Sequence, residues 1–199
     1  MAKKVTFFLS PPRCRTAWLS LYLTGMGVYC YHELWRDVGT MDDFKQAIDS
    51  HKGAVANADA GNWFFAKELH EAFPDAQFIT LSRSGFGLQE SLKRSYGDKD
   101  YTSLLNAYGN VCVALWDTLP IVSQYTFEAW TPEVSKQIWW DCRLAETPFN
   151  GAWHERMHQL EVQVTEARIV EDYHMVMRGD MKHLQRKIEA CEGRSLWVS

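Results

Sequence analysis

The sequence lacks the features that mark several specialised classes of protein. Its five cysteines are widely spaced, odd in number and without a C-x-x-C pair, which argues against a disulfide framework or a zinc ribbon and favours a reducing compartment. No apolar run approaches the roughly 20 residues of a membrane span. The apolar run at 5–9 is also too short for a secretory signal. We therefore expect a soluble, cytoplasmic protein with no membrane partner.

An excess of positive charge is also missing. The chain carries 21 Lys and Arg against 25 Asp and Glu, a formal net charge of −4, which argues against nucleic acid as a partner held by overall charge. Repeats, low-complexity tracts and obvious linkers are absent from the 199 residues, 46% of which are hydrophobic. This composition predicts one globular domain over 1–199.

Short apolar strands alternate with helical patterns along the first half of the chain. Val5–Leu9 has the composition of a buried strand, and a helical pattern follows from Thr16 to Gly25, the expected C-cap. The other predicted elements are strands over 27–31, 53–58, 77–81 and 160–164, and helices over 42–51, 63–73, 86–94, 101–119, near 154 and over 181–191. This alternation predicts an α/β fold with a parallel sheet.

The loop Ser10–Thr16 carries the first indication of chemistry. A turn between a buried strand and a helix presents unpaired backbone N–H groups and the positive end of the helix dipole, and both favour an anion. Arg13 and Arg15 add positive charge, and Thr16 adds a hydroxyl donor. The loop lacks the G-x-x-x-x-G-K-[ST] pattern of a Walker A motif. We therefore predict an anion site that differs from that of the P-loop kinases.

This loop resembles the 5′-phosphosulfate loop of the sulfotransferase family. The stretch FLSPPRCRTAWLSLYL follows the family pattern of a strand, G-x-P-[RK]-S-G-T-[TS]-W-L and a helix. The matching residues are Pro12, Arg13, Thr16, Trp18 and Leu19; the departures are Ser10, Cys14, Arg15 and Ala17. The resemblance implies donor-binding roles for Pro12, Arg13, Cys14, Arg15, Thr16, Ala17 and Trp18. Arg15 replaces a glycine, so this loop has a bulky side chain at a position where the family has none.

A second stretch, FPDAQFITLSRSGFGLQESLKR, resembles the 3′-phosphate motif of the same family. There an apolar strand leads to an Arg, and a Ser follows eight residues later on the next helix; here these are Arg83 and Ser91. The usual Asp-Pro after the Arg is Ser84-Gly85. An Arg at a strand end can bind a phosphate bidentately while a Ser hydroxyl donates to the same group. The resemblance thus implies that Arg83 and Ser91 bind a 3′-phosphate.

The third stretch is GVYCYHELWRDV. In several sulfotransferase subfamilies the strand after the first helix ends in a glutamate that acts as general base. Glu33 matches that glutamate, and Leu34 replaces the proline that often follows it. His32 is the alternative base, because an unperturbed imidazole titrates near neutral pH.

Together, the three stretches imply a fold, a reaction and a donor. The resemblance covers about residues 5–95, without a counterpart of the family's C-terminal R-K-G-x-x-G-[DN]-W segment. It implies a three-layer, P-loop NTPase-like parallel sheet flanked by helices. It further implies sulfuryl transfer from 3′-phosphoadenosine 5′-phosphosulfate (PAPS) to a hydroxyl or amine of a small-molecule or glycan acceptor, leaving 3′-phosphoadenosine 5′-phosphate (PAP). In that mechanism Arg13 would stabilise developing charge, and no metal is expected because the loop supplies the cations.

Two other functions remain open at this point. One is a nucleotide-binding protein of the same fold without catalysis, which the substitutions Arg15 and Ala17 favour. The other is a zinc metallopeptidase, because His154-Glu155-Arg156-Met157-His158 is an H-E-x-x-H motif. Its third ligand would be Glu166, Glu171 or His174. The strand predicted just after His158 leaves that motif barely two helical turns.

Overall fold

Five parallel strands form the centre of the protein in the computed structural model, which describes residues 3–159. They are β1 (Lys4–Leu9), β2 (Tyr29–His32), β3 (Ala54–Asp59), β4 (Gln77–Ser82) and β5 (Ile121–Thr126). Their order in the sheet is β2-β3-β1-β4-β5, and each neighbouring pair is parallel. The predicted α/β fold with a parallel sheet is confirmed.

Helices connect and cover these strands. They are α1 (Thr16–Gly25), α2 (Met41–Asp49), α3 (Ala66–Ala72), α4 (Gly85–Tyr96), α5 (Thr102–Leu115), α6 (Pro132–Cys142) and α7 (Gly151–His158). Short 3₁₀ turns follow three strands, at Leu34–Arg36, Ala60–Trp63 and Phe127–Ala129. Within residues 3–159, no helix has the length and apolar character needed to cross a membrane.

The central strand β1 is apolar on both faces, and this produces the three layers. Phe8 packs into a cluster with residues of α1, α6 and α7. Its neighbours Phe7 and Leu9 point to the opposite face, into a cluster with residues of α2 and α3. Successive side chains of a strand alternate between faces, so a continuous apolar run is what a strand buried between two helical layers requires.

The predicted elements of the first hundred residues are present, with bounds shifted by a few residues. Two elements between 120 and 145, β5 and α6, were not predicted, and α5 ends at Leu115 rather than at 119. A turn at 116–118 follows α5, and Pro120 directly precedes β5. The strand predicted over 160–164 and the helix over 181–191 lie outside the described residues.

Gly25 was expected to act as the C-cap of α1, and that prediction was wrong. Gly25 is the last helical residue, and the left-handed backbone conformation occurs two residues later, at Gly27 (φ 84°). Gly25 lies instead against the indole of Trp153 on α7, where an added Cβ would fall 2.0 Å from Cε2. Glycine is required there because two helices approach closely, not because the helix ends.

Candidate functional site

Polar residues from several loops meet at the carboxyl edge of the sheet. The loop after β1 (residues 10–15) is flanked by the ends of the two neighbouring strands, since Leu9 is paired with Asp59 on β3 and with Thr80 on β4. Arg83 directly follows β4, and Glu33 directly follows β2. Ligands of open parallel sheets bind beyond this edge. The fold therefore gathers the residues that the three sequence motifs singled out.

The loop after β1 has an unusual backbone. Arg13 (φ 69°) and Arg15 (φ 66°) both lie in the left-handed region, which non-glycine residues seldom adopt. Arg15 stands directly before α1, as its N-cap residue. The family pattern has glycine at this position, and the chain keeps the glycine-like conformation although the residue is arginine. The backbone path of the loop therefore tolerates the substitution.

Arg13, Arg83 and Ser91, which come from two separate sequence motifs, are joined by hydrogen bonds. Arg83 Nη1 donates a hydrogen bond to the backbone carbonyl of Arg13 at 2.8 Å. Arg13 Nε donates to Oγ of Ser91 on α4 at 3.2 Å, and Ser91 is buried. The two predicted phosphate-binding segments thus form one connected cluster, which we call the arginine cluster. A binding role for these three residues stays a prediction.

Arg83 is held by its surroundings while one donor remains unused. Its guanidinium lies 4.0 Å from the ring centroid of Phe127, in the turn after β5. The carboxylate of Glu128 accepts a hydrogen bond from the backbone N–H of Ser84 at 2.9 Å, and its charge acts on Arg83. Arg83 Nε is buried and has no hydrogen-bond partner among the described residues. An oxygen-rich anion could accept from that donor.

The side chain of Arg15 turns towards aromatic rings. Its guanidinium carbon lies 5.0 Å from the ring centroid of Trp18, 5.7 Å from that of Trp130 and 5.8 Å from that of Phe127. Trp18 is itself buried, stacks on Tyr22 at 4.9 Å and donates from Nε1 to the carbonyl of Met157. The predicted role of Trp18 in donor binding stays a prediction.

The remaining predicted loop residues, Pro12, Cys14 and Ala17, have uncharged side chains. Cys14 is buried, and burial raises the pKa of its thiol to about 12, so the sulfur is protonated at neutral pH. Pro12 is half-buried. Ala17 lies in the first turn of α1, where its carbonyl accepts from Ser20 Oγ. None of these three side chains has an ionised group near neutral pH.

His32 is unsuited to be a strong base. Its ring is buried, and Nε2 lies 3.2 Å from Thr16 Oγ1. Burial disfavours the charged imidazolium and lowers the pKa of His32 to about 4, partly opposed by the nearby charge of Glu33. At neutral pH the imidazole is therefore neutral and bonded to the start of α1.

Glu33 occupies a strained position beside the site. It also has a left-handed backbone (φ 55°), and it precedes the turn Leu34–Arg36. Its carboxylate accepts a hydrogen bond from Arg36 Nη1 at 2.8 Å and is only partly exposed. The predicted base thus lies at the carboxyl edge with a cation beside it.

Asp59 was missed by the sequence analysis, which ended the third strand at 58. It is the last residue of β3, is 4% exposed, and accepts hydrogen bonds from the backbone N–H groups of Trp35 and Gly61. Burial raises the pKa of Asp59 to about 6, against the effect of those two amides. Burial raises the pKa of Tyr108 on α5 to about 12, and the negative charges of Asp59 and Glu33 raise it further. A carboxylate directly after a buried parallel strand was the signal that could have revealed it.

The histidines of the H-E-x-x-H motif pack against residues of α1. His154 Nδ1 lies 2.8 Å from the hydroxyl of Tyr22, and the ring of His158 lies 5.1 Å from that of Trp18. Burial lowers the pKa of both imidazoles, that of His158 to about 4. Across residues 3–159, no three His, Cys, Asp or Glu side chains are grouped as metal ligands. Glu166, Glu171 and His174 lie outside that range.

Comparison with known proteins gives a distant structural similarity. No protein-family model and no curated protein matches the chain. The structure is similar to that of the YorR protein from Bacillus subtilis, solved in complex with phosphorylated GDP. The two are 10% identical, with a TM-score of 0.47, over 68% of this chain and 93% of YorR.

Proposed function

We propose that this protein transfers a sulfuryl group from PAPS to a hydroxyl or amine of a small-molecule or glycan acceptor. The arginine cluster carries the proposal: Arg83, Arg13 and Ser91 are linked by two hydrogen bonds at the carboxyl ends of β1 and β4. These are the residues that the two sulfotransferase-like stretches assign to the donor. Cytoplasmic location remains part of the proposal.

The residues present fit the two anionic ends of such a donor. Arg83 Nε is a buried donor without a partner in the described structure, and the Ser91 hydroxyl belongs to the same cluster. The N-terminus of α1, reached through the left-handed residues Arg13 and Arg15, adds backbone N–H groups and the positive end of a helix dipole. Charge-assisted hydrogen bonds from arginine to phosphate or sulfonate are the stronger kind.

In the proposed reaction, PAPS supplies an activated sulfuryl group. Glu33 removes the proton from the acceptor oxygen or nitrogen as that atom forms its bond to sulfur. Arg13, Thr16 and the loop N–H groups stabilise the negative charge that gathers on the bridging oxygen as its bond to sulfur breaks. The proton ends on the Glu33 carboxylate. His32 keeps Thr16 oriented through their 3.2 Å contact.

Nucleotide binding without catalysis is the second candidate, and one contact favours it. Arg36 Nη1 donates a hydrogen bond to the Glu33 carboxylate at 2.8 Å, so a cation already engages an oxygen that would have to take the proton of the acceptor. In this case the arginine cluster would bind PAP while no sulfuryl group is transferred. Incubation with ³⁵S-labelled PAPS and a panel of phenol, sugar and amine acceptors separates the two, because only an enzyme yields labelled product.

The decisive test of the proposed site compares PAP with AMP, which lacks the 3′-phosphate, by isothermal titration. A charged side chain placed to pair with the 3′-phosphate is left unpaired when the ligand lacks that phosphate, and this weakens binding. We expect PAP to bind roughly tenfold to a thousandfold more tightly, about 1.4–4 kcal/mol. Arg83→Ala should abolish most of this preference, because it weakens PAP binding much more than AMP binding.

Lys67→Ala serves as the control for charge alone, because Lys67 is exposed on α3. This variant should keep the preference of the wild type for PAP. Equal affinity of the wild-type protein for PAP and AMP would refute the proposed donor. An equal loss in both variants would show that overall charge, and not the arginine cluster, selects the ligand.

A further inference from the structure

A network of buried polar side chains lies under the candidate site, at the carboxyl end of β3. Asp59 accepts one hydrogen bond on each carboxylate oxygen, from Trp35 N at 3.0 Å and from Gly61 N at 2.8 Å. One buried carboxylate thus joins the turn that follows β2 to the turn that follows β3. The two turns are not adjacent in the sequence, so this contact sets their relative position.

A second contact fixes the same turn from its side chain. The Trp35 indole donates from Nε1 to Asn62 Oδ1 at 2.9 Å. Asn62 is fully buried and donates to the backbone carbonyls of Phe8 and Asn57, each at 3.0 Å. Trp35 is therefore tied to the central strands β1 and β3 through both its backbone and its ring.

The space beside Trp35 is filled closely. A Cβ added at Gly61 would lie 2.8 Å from Trp35 Cδ1 and 3.2 Å from Asp59 Oδ1. The ring of Trp35 also stacks on Phe44 at 4.3 Å and on Phe65 at 4.2 Å. The position of the Trp35 side chain is thus determined from several directions.

Glu33 depends on this support because its backbone is strained. Its left-handed conformation (φ 55°, ψ 43°) immediately precedes the turn that carries Trp35. Such a conformation persists in a non-glycine residue only where the surrounding contacts enforce it. Two residues after Glu33, Trp35 makes two hydrogen bonds: its backbone N–H donates to Asp59 and its indole donates to Asn62.

We infer that Asp59 is a positioning residue, whose carboxylate holds the 33–36 turn so that Glu33 faces the acceptor. This inference rests on the proposed function for the role of Glu33, but not for the geometry of the turn. The charges of Glu33 and Arg36 act on the Asp59 carboxylate, and Asp59 acts in turn on the hydroxyl of Tyr108. Asp59 acts through Glu33 and does not itself take the acceptor proton.

The effect of Asp59 on catalysis is measured as the steady-state rate of ³⁵S transfer from PAPS. The acceptor is one that the acceptor panel identifies. Asp59→Asn keeps the shape of the side chain but replaces one acceptor oxygen by an NH₂ group that cannot bind a backbone N–H. We expect kcat to fall roughly tenfold or more, with the KM for PAPS changed by less than about twofold. Asp141→Asn is the matched control, since Asp141 accepts from Ser123 and Tyr125 on β5 and should leave both constants unchanged.

The double variant Asp59→Asn with Glu33→Gln distinguishes positioning from an independent role. If Asp59 acts through Glu33, removing both carboxylates should be no slower than Glu33→Gln alone. A further loss in the double variant, equal to the loss from Asp59→Asn alone, would overturn the inference. So would an equal fall of kcat in Asp141→Asn.

Amide NMR tests the geometry without any enzymatic activity. The resonances of the Trp35 and Gly61 N–H groups should titrate together with a midpoint near the Asp59 pKa of about 6, and both should lose that titration in Asp59→Asn. If no ³⁵S is transferred but the two amide resonances still titrate, the proposed function is refuted and the positioning role of Asp59 is not. Unchanged amide resonances in Asp59→Asn would refute the positioning role, whether or not the protein transfers sulfuryl groups.

Discussion

Arg83 Nη1 donates a hydrogen bond to the backbone carbonyl of Arg13, 2.8 Å away and 70 residues earlier in the chain. The arginine after β4 therefore supports the loop after β1 directly. Because Arg13 has a left-handed backbone, this bond satisfies a carbonyl whose direction regular secondary structure would not produce. The shape of the loop and the position of Arg83 are thus determined together.

Arg13→Ala should weaken PAP binding roughly tenfold or more while the protein stays folded. A charge-assisted hydrogen bond contributes about 1.5–3 kcal/mol, and the half-buried loop side chain adds little to the core. Isothermal titration measures the affinity, and thermal unfolding checks the fold. Arg13→Lys, which keeps the charge, should retain more affinity than Arg13→Ala. Unchanged PAP affinity in a folded Arg13→Ala protein would remove Arg13 from the site.

Arg15→Gly should give a more stable protein than Arg15→Ala, by about 1 kcal/mol. Both variants lose the contacts of the guanidinium with Trp18, Phe127 and Trp130, so those contacts cancel in the comparison. Only alanine has a Cβ, which is unfavourable at the φ of 66°. Urea unfolding monitored by circular dichroism gives the difference. Equal stability, or a more stable alanine variant, would contradict a left-handed residue at the start of α1.

Gly25→Ala should destabilise the protein by about 1–3 kcal/mol or more, because an added Cβ would overlap the Trp153 ring. The overlap should also disturb the hydrogen bond from Trp153 Nε1 to the carbonyl of Tyr22 (3.1 Å). Gly109→Ala is the control, since Gly109 lies in α5 with nothing within 4 Å of its added Cβ. Alanine favours a helix, so this control should be neutral or stabilising by up to about 1 kcal/mol. Equal effects in urea unfolding would contradict the close contact of α1 with α7.

The stability of the protein should depend on pH through His32. Its pKa is about 4 in the folded protein and near 6.5 when unfolded, so the unfolded chain binds the proton more strongly between these values. Stability from this group is fully present above about pH 6.5 and is lost as the pH falls towards 4, by up to about 3 kcal/mol. His32→Gln should reduce the slope of unfolding free energy against pH in this window. An unchanged slope would show that His32 is not buried as described.

The contribution of Asp59 to the pH dependence of stability has the opposite sign, and it does not affect the comparison of wild type with His32→Gln. The pKa of Asp59 is raised to about 6 from an ordinary 3.8, so the folded protein binds the proton more strongly between those values. Stability therefore falls as the pH rises through that window. Because Asp59 is present in both wild type and His32→Gln, its contribution cancels in the difference between them.

Local patterns predicted the strands whose residues are apolar on both faces and the helices between them. Val5–Leu9 and Gln77–Leu81 were found because a strand buried between two layers is a continuous apolar run. The edge strand β5 was missed. Its residues alternate between half-buried and exposed, and its Ser, Gln and Thr dilute the apolar signal. An edge strand pairs with a single neighbour, here β4, and the residues of β5 alone do not reveal that pairing.

By itself, the sequence determined which residues follow strand ends: Arg13 and Arg15 in a loop before a helix, Glu33 after β2 and Arg83 after β4. These positions follow from the periodicity of apolar residues, which is visible within short stretches of the chain. Only the tertiary structure decided that Arg83 and Ser91 contact Arg13, that Trp18 is buried, and that Asp59 holds the turn beside Glu33. The physical reason is the strand order β2-β3-β1-β4-β5. It brings distant segments side by side through long-range pairing and packing, which no single stretch of the chain specifies.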